Sequence, residues 1–416
     1  MTQRTHYDFA VIGLGTMGSF AAVELAKRGF SVIGLDQFTP PHDRGSHSGG
    51  TRIYRIAYPE GTGYVKLAQR AGELWDQAAE QFGTQLLHRI GLLYMGNPRQ
   101  AFIQSIHASV SANQLRLETL SAAEVYRRYP AFEIPEDYVG VFDSQAGWID
   151  VEASIRSAHS YATALGVECQ FNQPVEGWDA SDDHVRVHLR HQTVTASKLI
   201  ITAGAWSGKV LNHLRLPLTV RRKVIAWFDP LVPELFAADR IPVFTFPEKW
   251  IYGFPNMPGF GVKLAEHLEG IDLPDADSPI APPDASDLDS IRATASKYMP
   301  SLAGVSPGNS ARLLHSITCL YTMTPDEDFI VDHHPQFSNV VFAAGFSGHG
   351  FKFAPLIAVA LADLALDGKT SLPIDFLSLN RFATHLPRPG FADRGSESGR
   401  LSSHGTRSPL EKSGDD

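Results

Sequence analysis

At 416 residues the chain is too long for one simple core and fits two domains of ordinary size, with 43% hydrophobic and 19% charged residues as in soluble globular proteins. A formal net charge of −9 argues against a general nucleic-acid surface, and no apolar run approaches a membrane span. Cys169 and Cys319 are the only cysteines and lie far apart, so neither a disulfide framework nor a cysteine-rich metal site is expected, and with no signal-peptide pattern at the start the expected location is cytoplasmic.

The first elements read as strand, helix, strand. Phe9 to Ile12 is an apolar run, an amphipathic segment continues to Lys27, and Gly29 leads into a second apolar run closed by Asp36. The turn between them has the spacing Gly13-x-Gly15-x-x-Gly18. Gly13 permits the tight turn, Gly15 lets backbone approach a pyrophosphate, and Gly18 lets the helix pack close to the strand. The helix N-terminus would then present free N–H groups to phosphates, and Asp36 would accept hydrogen bonds from ribose hydroxyls. The motif predicts a dinucleotide site and leaves NAD or FAD open.

Pro40 to Arg52 forms a loop rich in glycine, hydroxyl and basic residues, suited to a ligand's polar edge. From Tyr64 the apolar positions follow helical spacing, Leu86 to Met95 reads as strands, and Ser121 to Glu124 is a capping box opening a short helix. Val151 to Leu165 reads as a helix, and Val167 to Phe171, Val185 to Leu189 and Leu199 to Thr202 as strands, the last running into the small-residue turn at Gly204. Val224 to Phe228, Val243 to Phe246, Trp250 to Phe254 and Gly261 to Leu264 have the look of antiparallel strands. An acidic, proline-rich loop covers Leu268 to Asp289, and a helix follows to about Tyr298. Phe329 to Asp332 and Val340 to Ala344 return as strands, and a glycine-rich turn at Gly345, Gly348 and Gly350 opens a helix from about Phe351 to Leu366. Residues 387–416 have little to bury and are expected to be a disordered tail.

This discontinuous layout resembles the FAD-dependent amine oxidases related to glycine oxidase and D-amino-acid oxidase. Within them it is most similar to the monomeric sarcosine oxidase and N-methyl-L-tryptophan oxidase family. The motifs that carry the likeness are Gly45-Ser46-His47, Thr51-Arg52-x-x-Arg55, Tyr252-Gly253-Phe254-Pro255, Lys263-x-x-x-His267, Cys319-x-Tyr321 and Gly348-His349-Gly350-Phe351-Lys352-Phe353. The resemblance implies an α/β fold: a Rossmann-like FAD-binding domain on a parallel sheet, formed by 1–85, 148–215 and 323–386, with an inserted α+β substrate domain on an antiparallel sheet, formed by 86–147 and 216–322. It implies FAD as cofactor, joined covalently through Cys319, with Gly13, Gly15, Gly18, Asp36, Ser46, Thr51, Gly204, Gly345, Gly348, Gly350 and Lys352 about it. Read without the family, Cys319 is a buried structural thiol.

The implied reaction is oxidation of a secondary N-methyl amino acid of the sarcosine or N-methyltryptophan type, with loss of formaldehyde and reduction of oxygen to hydrogen peroxide. The alternatives are an oxidase of a cyclic imino acid or glycated amino acid, and less favoured, a non-catalytic flavoprotein. A substrate carboxylate is best met by a guanidinium fork and a second cation, and the resemblance puts Arg55 and Lys352 in that role. The resemblance also makes Lys263 the cation that would favour electron transfer to oxygen, with Arg52 near the flavin ring. His267 and His349 would orient the substrate amine between Tyr252 and Tyr321 as aromatic walls. Read alone, Lys263 would be an exposed strand residue, and His42, His333 and His334 match no signature and are expected at the surface. No cluster has metal-ligand spacing, and the expected partners are a small amino acid and oxygen, with neither nucleic acid nor membrane, on a monomer. Gly50, Tyr54-Arg55-Ile56 and Ala265-Glu266 depart from the family pattern and bear on which substrate is used.

Overall fold

The computed structural model describes residues 6–58, 61, 63–257, 259–303 and 312–382, so the tail read at 387–416 lies outside the described residues. The run Tyr7–Ile12 is the centre of a sheet because both of its faces are covered. Phe9 and Val11 join the core under the helices Thr16–Lys27, Val151–Ala164 and Ala354–Asp367, while Ala10 and Ile12 join a second core with Trp178 and Leu211. Tyr7–Ile12 pairs in parallel with Val32–Leu35 on one side and Thr193–Ile201 on the other. Among the described residues the sheet has eight strands, completed by Val175–Ala180, Val185–Leu189, Glu168–Gln170, Ile330–His333 and Val340–Ala344.

A nine-stranded sheet takes its strands from the two intervening stretches. Thr219–Asp229 is its longest shared element: Arg312–Met323 lines one edge, and Ile271–Leu273 and Gly261–Glu266 share the other. Pairing continues through Ile251–Met257 and Val243–Thr245 to Leu92–Gly96, Val139–Asp143 and Glu118–Ser121, antiparallel except between Val243–Thr245 and Leu92–Gly96. Side chains alternate faces along each strand. Val224, Ala226, Phe228, Val262, Leu264 and Phe244 therefore pack together with Tyr298 and Leu302. Their neighbours point the other way, and the register sets Tyr94, Thr245, Tyr252, Ala265, Ile225 and Ile317 in one row across the sheet. Lys223 faces Cys319, and Lys263 lies between Trp227 and Phe254, on that same side.

Several elements differ from the sequence reading. Thr51 and Arg52 end the polar loop as part of the strand Thr51–Tyr54, which pairs with Gly147–Asp150. The helix Ala101–Asn113 and the strands Glu118–Ser121 and Val139–Asp143 add to the region after Met95, whereas the capping box forms as expected, Ser121 accepting from the Glu124 amide. The loop from Leu268 contains the strand Ile271–Leu273 and is tied down by Arg222. Its buried guanidinium donates to both Asp287 oxygens at 2.8 Å and to the carbonyls of Ala281 and Pro282. The final helix opens as a 3-10 turn, Phe351–Phe353, before Ala354–Asp367. His334 is a correction: it is buried beside Trp178 and shares a 2.7 Å Nε2–Nε2 hydrogen bond with His213, because Phe337 and Trp178 close over it. Lys263 is likewise buried, since both strands flanking Gly261–Glu266 put aromatic rings on its face. No helix among the described residues is long and apolar enough to cross a membrane.

Candidate active site

A cleft of about 370 Å³ opens at the C-terminal end of Tyr7–Ile12, where ligands of doubly wound sheets bind. Gly13 adopts φ +90°, and a Cβ there would sit 2.5 Å from the Thr202 carbonyl oxygen. A Cβ on Gly18 would lie 1.8 Å from the Gly13 carbonyl oxygen, so helix and turn meet in van der Waals contact. At Gly15 the nearest protein atom to such a Cβ is His47 Nδ1 at 3.6 Å, which leaves its cleft face open to a pyrophosphate. Asp36 accepts from the Leu14 and Phe38 amides at 2.8 Å, and burial pushes its carboxyl up to about 6. Ser46, Gly204, Gly345, Gly348 and Gly350 also line this cleft. Gly18, Thr51 and Lys352 do not: Gly18 is packed beneath the turn, Thr51 accepts from Lys263, and Lys352 faces a second cavity. A glycine cradle that a Cβ would fill, ending in an acid at the ribose position, suits a dinucleotide.

The second cavity, about 90 Å³, adjoins the first and shares Arg52, Tyr321, Gly348 and Phe351 with it. Gly348, at φ +80°, presses on the Tyr321 ring so closely that a Cβ would lie 2.1 Å from it. The cavity brings together Arg55, Tyr252, His267, Cys319, Tyr321, His349 and Lys352. Arg55 is buried with its guanidinium 4.2 Å from the Tyr58 ring centroid and donates to the Ala57 carbonyl at 3.2 Å. Lys352 donates to the His349 carbonyl at 2.6 Å and to Tyr58 Oη at 3.3 Å. His349 Nε2 lies 3.1 Å from the Glu327 carbonyl oxygen, which can only accept, so Nε2 carries a proton, and Nδ1 pairs with Tyr58 Oη at 2.6 Å. Tyr58 thus couples both groups, and nothing in its sequence spacing announces it; contact across the fold creates the role. His267 stacks on Trp250 at 5.6 Å and lies 3.4 Å from Tyr321 Oη.

Lys263 lines neither cavity. Its Nζ donates to the carbonyls of Gly49 and Thr51 and to Thr51 Oγ1, at 2.8 to 2.9 Å. Burial and the nearby Arg52 lower its basicity well below that of a free lysine. An ammonium would donate all three of its N–H groups here, and a neutral amine would meet the same three groups with the Thr51 hydroxyl donating to its lone pair. Arg52 holds the same loop by donating to the carbonyls of Ser46, Ser48 and Thr51. Burial pushes the Cys319 thiol up, and the charges of Arg52, Lys263 and Lys223 pull it back. Lys223, to which the sequence reading gave no role, is buried with its ammonium 5.5 Å from the Tyr321 ring centroid, and burial brings it down to about 8. His47, quoted only as part of a motif, is buried on the cleft wall, where burial keeps its imidazole neutral, down to about 3.

Cleft and cavity adjoin at four shared residues, and the glycine cradle closed by an acid defines the class: a Rossmann-like, dinucleotide-binding protein with a second cavity beside its cofactor cleft. The family model described as "DAO: FAD dependent oxidoreductase" matches residues 8–364, and the chain belongs to that family. It is 38% identical over 386 residues to the monomeric sarcosine oxidase of Bacillus sp. (strain B-0618), covering 91% of this chain and 96% of that one. It is 35% identical over 383 residues to the N-methyl-L-tryptophan oxidase of Yersinia pestis (strain Pestoides F), covering 90% and 99%. Among solved structures it is similar in fold to NikD, an unusual amino acid oxidase essential for nikkomycin biosynthesis, with a TM-score of 0.78 at 24% identity over 90% of this chain and 98% of that one. FAD is therefore the dinucleotide that the glycine motif left open.

Proposed function

We propose that the protein is an oxidase of secondary N-methyl amino acids of the sarcosine or N-methyltryptophan type. The observation that carries this reading is the pair of buried cations, Arg55 and Lys352, in an aromatic cavity that shares its wall with the dinucleotide cleft. When bound, FAD supplies a two-electron acceptor and a route for those electrons to oxygen, giving hydrogen peroxide. Arg55 and Lys352 bind the carboxylate, which fixes the substrate's Cα and N-methyl group at the junction. His267 and His349 orient the amine, and Tyr252 and Tyr321 exclude water from it. Lys263 acts through its charge, its N–H groups being already donated to Gly49 and Thr51. Water completes the reaction by hydrolysing the imine to amine and formaldehyde. Cys319, beside three cations, carries the flavin as a thioether.

The same reading divides the chain into an FAD domain of 1–85, 148–215 and 323–386 and a substrate domain of 86–147 and 216–322. It takes the protein to be a cytoplasmic monomer. The relatives' name supports the monomer, and the far-apart, unbonded cysteines support a reducing compartment.

The deciding experiment is a visible spectrum of the purified protein before and after acid precipitation, with anaerobic sarcosine and N-methyltryptophan added in turn. Yellow colour that stays with the precipitate and bleaches with one substrate supports both claims, and Cys319→Ser should then release the colour. Colour that washes out from the wild type but bleaches leaves the oxidase and removes the attachment; no bleaching with either compound removes the substrate class.

The Cys319→Ser background also exposes the role of Asp36. In the ligand-free protein its folded pKa of about 6 lies above the unfolded value, so between about pH 4 and pH 6 the native state keeps a proton that the unfolded chain releases. This group's contribution to stability is full below about pH 4 and is lost as pH rises through about 6. FAD binding has the opposite sign, because the ionised carboxylate is the better acceptor for ribose. Affinity measured by flavin fluorescence should weaken roughly tenfold from about pH 7 to about pH 5 in that background, and Asp36→Asn should flatten the dependence.

A further inference from the structure

One polar group in the small cavity is left unsatisfied by the protein. Thr245 is 9% exposed, its Oγ1 is fully buried without a hydrogen-bond partner among the described residues, and it lines the cavity. Buried hydroxyls are almost always paired, so an orphan on a cavity wall marks a place where a ligand atom completes the bond. The register fixes the face on which it lies: Thr245 stands directly between Tyr94 and Tyr252 on adjacent strands, and all three residues line the cavity.

The position tells which part of a substrate meets this hydroxyl. The reacting C–N bond belongs at the junction with the cleft, bounded by Arg52, Tyr321, Gly348 and Phe351, and Thr245 is not among those shared residues. The carboxylate belongs with Arg55 and Lys352, which come from segments outside the nine-stranded sheet. What remains is the substrate's side chain, and around Thr245 the sheet side of the cavity offers it Tyr94, Phe102 and Trp250. Phe102 and Trp250 meet edge to face at 5.3 Å, and Trp250 continues the aromatic surface to His267.

Resting on the N-methyl amino acid reading, we propose that Thr245 is a specificity-determining residue whose hydroxyl pairs with a hydrogen-bonding group on an aromatic substrate side chain. Sarcosine has no side chain to reach it. A purely hydrocarbon ring would cover the hydroxyl and leave it unpaired, which is the arrangement by which a polar site rejects a near-isostere.

The test uses the holoenzyme and two matched pairs of substrates: N-methyltryptophan against its benzothienyl analogue, in which sulfur replaces the indole N–H, and N-methyltyrosine against N-methylphenylalanine. Wild-type kcat/KM should favour the N–H or O–H member of at least one pair by roughly tenfold or more. Thr245→Val should abolish that preference while leaving sarcosine oxidation within about twofold, and Thr245→Ser should keep it. If Thr245→Val yields no holoprotein, Thr245→Ala makes the same comparison. A wild type indifferent within both pairs, or a hydroxyl-free variant that retains the preference, overturns the assignment while the oxidase reading stands. Failure of every N-methyl amino acid, sarcosine included, to reduce the flavin overturns both.

Discussion

Replacing Arg55 with methionine is expected to lower kcat/KM for N-methyl amino acids by roughly 10²- to 10³-fold, mainly through KM. Arg55 is 8% exposed and lines the small cavity, with its guanidinium stacked on Tyr58. A carboxylate brought into that space sheds its water, and truncating one partner of such a buried, hydrogen-bonded charge pair costs about 3 to 4 kcal/mol. The loss is the same in ground and transition states, which places it in KM. Arg55→Lys should recover little, because a point ammonium replaces a planar fork and cannot keep the stack on Tyr58. Steady-state kinetics on both variants, with an amine lacking a carboxylate as a control, checks the assignment. A change under about threefold, or an equal loss on the carboxylate-free amine, would remove Arg55 from the clamp.

The opening turn separates two kinds of failure. Gly18→Ala should yield no stable holoprotein, since its Cβ would lie 1.8 Å from the Gly13 carbonyl oxygen and 2.6 Å from Thr202 Oγ1, and relief requires backbone to move apart. Gly15→Ala should fold, because its Cβ meets nothing closer than 3.6 Å, yet it should purify with little or no FAD because the methyl group occupies the space of the pyrophosphate. Thermal melts and flavin content distinguish the two. Equal flavin loading in Gly15→Ala and wild type would mean that the cofactor does not approach this turn.

What local pattern could reveal was the nucleotide half of the protein. A strand, a glycine turn and a helix are specified by neighbours within about thirty residues, and the motif's geometry is dictated by backbone sterics that hold in any fold. The capping box at Ser121 was legible for the same reason. The helix Ala101–Asn113 was not: it places only Phe102, Ile103, Ile106 and Ser109 in the interior, too weak a stripe to announce itself.

Burial that comes from distant strands left no mark in the local pattern. Lys263 alternates with apolar neighbours as an exposed residue would, and only the rings of Trp227 and Phe254 on the flanking strands make its face an interior one. His334 looked like a surface histidine until Trp178 and His213 closed around it. Tyr58 and Thr245 carried no signal, since one acquires its role from residues nearly three hundred positions away and the other from a cross-strand register. By itself, then, the sequence determined the dinucleotide turn and, through its motifs, the family, because both reside in short runs of covalently linked residues. Which cations are buried, which hydroxyl is left unpaired, and what shares a wall with the cofactor cleft were decided only by the tertiary structure. Desolvation and hydrogen-bond satisfaction are properties of what packs around a residue, and strand pairing across the whole chain sets that packing.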